Sequence, residues 1–187
     1  MLGRPPVREL DPNSLGDHLD RLYRAAWALC GSREDAEDLV QDTFAKILTR
    51  PRFLRGEEDL WYLMRTLKNV FLSQRRTLAR RSPPVALDEE MDPVEAPQSD
   101  RPDEAAQNRE VYAAIAALPD DMREALVAID VVGLSYEEAA KALGVRQGTI
   151  TSRLFRARAR VANALGPAEP QSEGDELSPR SRRAEPG

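Results

Sequence analysis

At 187 residues with a formal net charge of −5 and 14 prolines against 10 glycines, the chain suits two small domains joined by rigid connectors rather than one large core. Aromatics at 5% and no run of alternating Val, Ile and Thr leave period-3.6 patterns without competition, so the predicted fold class is all-α. A lone cysteine, Cys30, and a lone histidine, His18, exclude an internal disulfide and fall short of a zinc site. With no 18-residue apolar stretch for a membrane span and no signal-peptide core, a soluble, cytoplasmic protein without metal or cofactor is expected.

Residues 1 to 13 fall outside any periodic pattern and read as a flexible N-terminus. The stretch "SLGDHLDRLYRAAWALCGSREDAEDLVQDTFAKIL" predicts an amphipathic helix from Ser14 to Cys30, with Leu15, Leu19, Leu22, Tyr23 and Ala26 inward. After Gly31-Ser32, a second helix turns Ala36, Leu39, Val40, Ile47 and Leu48 inward. Its outer face carries Glu34, Asp35, Glu37, Asp38, Gln41 and Asp42. Like charges at i, i+4 cost a few tenths of a kcal/mol each, so the cluster either serves a partner or is a solvated face whose first acids complement the helix N-terminus.

A third helix, "EEDLWYLMRTLKNVFLSQRRTLARR", turns Leu60, Leu63, Met64, Leu67 and Phe71 inward and leaves Arg65, Lys68, Asn69, Arg75, Arg76, Arg80 and Arg81 outside. Trp61 and Tyr62 stand at its start. Basic groups beside aromatic faces suit single-stranded nucleic acid, where stacking contributes about 1–3 kcal/mol per base. Trp61 taken alone fits a core position better than a DNA contact, because large aromatics are mostly buried. These helices make one module, 14 to 81.

Residues 82 to 103 hold one basic and seven acidic residues and five prolines, with too little apolar material to offset the entropy of ordering, and read as an extended acidic linker. The tail, 166 to 187, reads as disordered for the same reason. Between them, 104 to 165 carries eight basic and eight acidic residues, so the net negative charge resides in the connectors.

In that second module Pro119, Asp120 and Asp121 open a helix that Gly133 stops. Ser135 and Glu138 form a capping box for a helix from Tyr136 to Leu143, and Gly144 supplies a left-handed turn. The helix that follows spaces Ile150, Leu154, Ala157 and Val161 as an apolar stripe, which closes a helix-turn-helix with Ala140, Leu143 and Val145. Its other face presents Gly148, Thr151, Ser152 and Phe155, flanked by Arg146, Arg153, Arg156, Arg158 and Arg160. Arginines neutralise phosphates and read guanine edges, hydroxyls reach phosphates or bases, and a phenyl ring packs on a thymine methyl. Local rather than net charge sets such a contact. The plainer alternative is a solvated basic helix with Phe155 plugging a domain contact.

The segment "LPDDMREALVAIDVVGLSYEEAAKALGVRQGTITSRLFRARARV" resembles region 4 of bacterial extracytoplasmic-function sigma factors. That resemblance implies that Thr151, Ser152, Phe155 and Arg156 meet the promoter −35 element, with Arg146 near the helix entry. Arg146 stands where proline is frequent in the family, and Thr151 where lysine or arginine is frequent. "DAEDLVQDTF" is similar to the region 2 segment that docks on RNA polymerase, which implies docking by Asp38, Gln41 and Asp42. "YLMRTLKN" resembles the family's W-L-Y-R-I-A-R-N, with Tyr62 where tryptophan is common. It implies that Arg65, Lys68 and Asn69, with the Tyr62 and Trp61 rings and the preceding loop around 55 to 59, read and open the −10 element.

The resemblance implies partners as well: core RNA polymerase, promoter DNA and an anti-sigma factor. It implies that the acidic linker, with Asp88, Glu89, Glu90 and Asp92, occupies the path of nascent RNA until displaced. A sigma factor is not an enzyme by itself. Two rival readings are a stand-alone helix-turn-helix regulator and an enzyme built on Cys30 and His18; for the second, both residues fall in or beside a core helix with no supporting Asp or Asn.

Overall fold

The computed structural model describes residues 7–50, 52–55, 59–81 and 102–166. The expected linker, up to residue 101, and the tail beyond Gly166 lie outside the described residues. The order is β1 (Val7–Glu9), a 3-10 turn (Pro12–His18), α1 (Leu19–Cys30), α2 (Arg33–Leu48), β2 (Phe53–Arg55) and α3 (Asp59–Arg81). The second module follows as α4 (Pro102–Ala116), α5 (Asp120–Leu126), a π-turn (Val127–Val131), α6 (Tyr136–Leu143) and α7 (Gln147–Leu165).

Two sequence expectations need correction at the N-terminus. Residues 7 to 13 are not a flexible leader. Val7–Glu9 pairs antiparallel with Phe53–Arg55 in the register Val7↔Arg55, Arg8↔Leu54 and Glu9↔Phe53, and Leu10 is buried. A three-residue strand is too short to show a period, and its partner lies over 40 residues away, so nothing local announces it. The first α-helix also starts later than Ser14: Asp11 accepts from the Asn13 N–H at 2.9 Å, Pro12 follows, and Gly16 weakens helix by about 1 kcal/mol, which leaves a 3-10 turn before Leu19.

Elsewhere the local signals act as expected. Gly31 ends α1 at φ 83°, with its N–H donating to Trp27 O at 2.8 Å, and Ser32 caps α2 through Asp35 N–H at 3.3 Å. Leu63, Met64 and Leu67 are fully buried on α3 and Phe71 is nearly so. Two expected inward residues are exposed, Leu19 where α1 begins and Leu48 where α2 ends, because neither has a full helical turn beyond it to carry it into the core.

The two modules share a single cluster of buried apolar side chains. α1 packs against α4 and the π-turn, and α3 packs against α6. Polar groups seal this contact: Lys68 Nζ lies 3.3 Å from Glu124 Oε2 and donates to Leu143 O at 3.0 Å, while Arg75 Nη1 meets Asp120 Oδ2 at 2.6 Å. Arg123 reaches across to Leu29 O at the carbonyl end of α1 while also donating to Ala116 O and Leu118 O, which suits the negative pole of that helix. Among the described residues no helix is long and apolar enough to cross a membrane.

Candidate nucleic-acid interface

The helix-turn-helix is built by its caps. Ser135 and Glu138 exchange a reciprocal capping box, Ser135 N–H to Glu138 Oε2 at 2.8 Å and Glu138 N–H to Ser135 Oγ at 3.3 Å. Gly144 turns the chain at φ 71°, where a side chain would be strained. The stripe Ile150, Leu154 and Ala157 is buried and Val161 half-buried, against buried Leu143 and half-buried Ala140 and Val145. α7 must therefore present Gly148, Thr151, Ser152, Phe155 and Arg156 to solvent, and all five are exposed. Phe155 is 75% exposed, which places it outside the interdomain contact that the plainer alternative required.

The five arginines do not act alike. Arg153 Nε pairs with Asp121 Oδ2 at 3.1 Å, and Arg158 pairs with both carboxylate oxygens of Asp130 at 2.9 and 2.6 Å. α7 packs on α5, which brings Asp121 within reach, while Asp130 comes from the π-turn that follows α5. Arg146, Arg156 and Arg160 have no carboxylate partner among the described residues. Thr151 and Ser152 donate back to Gln147 O and Thr149 O, bonds weak enough to be exchanged for a ligand.

On the first module, Tyr62, Arg65 and Asn69 line one cavity of about 160 Å³ with Lys46, Arg52 and Thr66. Trp61 does not line it; the ring is half-buried against the core and meets Tyr62 edge-on at 6.3 Å between centroids, within the roughly 4.5–7 Å range of aromatic pairs. Lys68 also departs from its expected group. One residue before Asn69 on α3, it points to the second module, where Glu124 and Leu143 O hold it with its side chain only 15% exposed.

The acidic face of α2 stands clear: Glu34, Asp35, Glu37, Asp38, Gln41 and Asp42 are all exposed. Asp42 accepts from Gln74 Nε2 at 2.9 Å. Asp38 borders a second cavity of about 440 Å³ between the modules, with Cys30, Phe71, Gln74, Leu78 and Arg123. Burial, reinforced by Asp35 and opposed by Arg123, pushes the Cys30 thiol up to about 12. His18 and Cys30 flank the two ends of the 12-residue α1, roughly 18 Å apart along the helix, so they do not form a catalytic pair.

Sequence reasoning missed Arg8, Lys46, Arg52, Arg123 and Glu124. Glu124 follows Arg123 at the edge of the apolar run "ALVAI", and neither charge announces its partner there; Arg8 and Glu124 meet partners more than 50 residues away, which no local pattern shows.

Residues 15–81 match the family described as Sigma-70 region 2, and residues 108–161 match Sigma-70, region 4. The chain is 36% identical over 151 residues to the ECF RNA polymerase sigma factor SigE of Mycolicibacterium smegmatis, covering 79% of this chain and 58% of that relative's length. It is 33% identical over 150 residues to the ECF RNA polymerase sigma factor SigM of Mycobacterium tuberculosis, covering 80% of this chain and 74% of SigM. Its fold matches the sigma factor RpoE solved in complex with the anti-sigma factor NepR from Bartonella quintana, with a TM-score of 0.68 at 30% identity, over 84% of this chain and 97% of that one. With both regions matched in order and a relative covered over most of its length, the chain belongs to the ECF RNA polymerase sigma factors.

Proposed function

We propose that this chain binds core RNA polymerase and directs it to promoters, without chemistry of its own. The observation that carries the reading is the separation of surfaces on one chain: an exposed acidic face on α2, a cavity lined by Lys46, Arg52, Tyr62 and Arg65, and a cap-built helix-turn-helix with exposed Thr151, Ser152, Phe155 and Arg156. Asp38, Gln41 and Asp42 dock on the polymerase. Arg146, Thr151, Ser152, Phe155 and Arg156 meet the −35 element. Tyr62, Arg65 and Asn69 hold an opened strand at −10, joined by Lys68 once it leaves Glu124, with Trp61 supporting Tyr62 from the core side.

The modules must part for this. About 25 base pairs at about 3.4 Å each put the two elements roughly 85 Å apart, whereas the longest helix, α3 with 23 residues, spans only about 35 Å. Packed together, the modules cannot reach both elements. Free protein therefore binds promoter duplex weakly, and polymerase raises the effective concentration of each module for its own element. An anti-sigma factor that favours the packed arrangement inhibits without touching DNA, and cytoplasmic location follows from the partner. A stand-alone helix-turn-helix regulator leaves the acidic face of α2 without a use.

The test is run-off transcription with core polymerase on a pool of promoters, using the wild type and Asp38→Arg. Promoter-specific transcripts with the wild type and none with Asp38→Arg are expected. No transcript from the wild type at low salt would overturn the reading, and DNA binding that ignores both polymerase and Asp38→Arg would favour the regulator.

A further inference from the structure

The N-terminal strand does more than extend a sheet. Leu10 N–H donates to Arg52 O at 2.7 Å, β1 then pairs with β2, and Arg8 Nη2 lies 2.7 Å from both Oδ1 and Oδ2 of Asp59. The strand and the residue after it thus hold the chain at two points, Arg52 just before β2 and Asp59 at the start of α3. Both points bear on the cavity: Arg52 lines it directly, and Asp59 opens α3 three residues before Tyr62 and six before Arg65, which also line it.

The Arg8–Asp59 pair is not an ordinary surface ion pair. The Asp59 side chain is only 10% exposed, so a carboxylate left there without its cation would be a buried, uncompensated charge. Asp59 sits in the first turn of α3, where the helix dipole favours it, yet Arg8 is the side chain that bonds both of its oxygens. Leu10, itself 5% exposed, anchors the strand in the core so that Arg8 is held in place by packing as well as by charge.

We propose that Arg8 is a positioning residue for promoter opening: the strand Val7–Glu9 sets the mouth of the Tyr62–Arg65–Asn69 cavity, so that an unstacked base and its phosphate meet preplaced groups. Arg8 touches no DNA. It acts through Asp59 and the Arg52 backbone, which fix where the cavity-lining side chains stand. Preplacement matters because opening is a near balance: the stacking lost on melting is offset by capture of an unstacked base, and a misplaced pocket tips that balance. The proposal rests on the reading of this cavity as the −10 site.

The experiment uses the full chain with core polymerase and reads permanganate reactivity of −10 thymines together with run-off from duplex and from a premelted bubble template. Arg8→Met removes the charge at similar volume, and Arg8→Lys restores it. Arg8→Met is expected to lower −10 reactivity and duplex run-off about tenfold, the worth of one charge-assisted hydrogen bond, with polymerase association intact and bubble-template run-off close to wild type. Arg8→Lys is expected to recover most of the loss. In Asp59→Asn the buried charge is gone, so adding Arg8→Met should cost little more, a non-additive pair. Equal loss on duplex and bubble, or loss of polymerase association, would reduce Arg8 to a folding role and overturn the proposal.

Asn69→Ala separates the two levels. Normal opening by Arg8→Met beside defective opening by Asn69→Ala overturns the positioning role alone. Normal opening by both overturns the −10 reading and the positioning role with it.

Discussion

Glu124→Gln is the sharpest probe of the packed arrangement, because Glu124 joins the modules through the residue expected to serve DNA. Lys68 Nζ lies 3.3 Å from Glu124 Oε2, with side chains 15% and 11% exposed. At an effective dielectric constant of about 20, the attraction at that distance is about 5 kcal/mol. Desolvation of two mostly buried groups returns much of it. What remains resembles a hydrogen bond to a charged group, about 1.5–3 kcal/mol. Glutamine keeps an acceptor but loses the charge, so the open population should rise about tenfold or more. Small-angle scattering and a fluorescence-transfer pair across the modules would read this as a larger radius of gyration and a lower transfer efficiency. Single-stranded −10 oligonucleotide should bind more tightly, since Lys68 is released. Scattering that superimposes on the wild type, or weaker oligonucleotide binding, would refute the reasoning.

Other outcomes follow from the same geometry. Asp38→Arg, at an exposed site, should leave the melting temperature unchanged while costing about 2–5 kcal/mol in polymerase association, measured by pull-down and competition with wild type. Phe155→Ala should likewise spare the melting temperature, because the ring is 75% exposed, but weaken −35 duplex binding by on the order of 1 kcal/mol, the worth of an apolar contact about the size of a methyl group, which fluorescence anisotropy with polymerase present reads. Leu63→Ala, at a fully buried position, should destabilise by about 2–5 kcal/mol in urea unfolding. The Cys30 thiol, pushed up to about 12, should be alkylated far more slowly at pH 8 than a free thiol, since only about one in ten thousand is thiolate there. The raised value also fixes a sign. Folded protein holds the proton more tightly than unfolded protein, so this contribution to stability is full below about 9 and is lost as pH rises towards about 12, which comparison with Cys30→Ala in pH-dependent unfolding tests.

Local signals determined a great deal about this chain. The capping box at Ser135 and Glu138, the turn at Gly144 and the stripe Ile150, Leu154, Ala157 each depend on residues within a few positions, so periodicity and caps suffice to place α6, α7 and the exposed face of α7. The same holds for the acidic face of α2, which needs only the inward spacing of Ala36, Leu39 and Val40 to point outward. What tertiary structure alone decided are pairings of remote residues: Arg8 with Asp59, Lys68 with Glu124 and Leu143, Arg153 and Arg158 with Asp121 and Asp130. A charge on a helix face looks the same in sequence whether it meets water, DNA or an acid folded back from tens of residues away, because the Coulomb energy that selects its partner depends on distance and burial, and those exist only once the helices have packed.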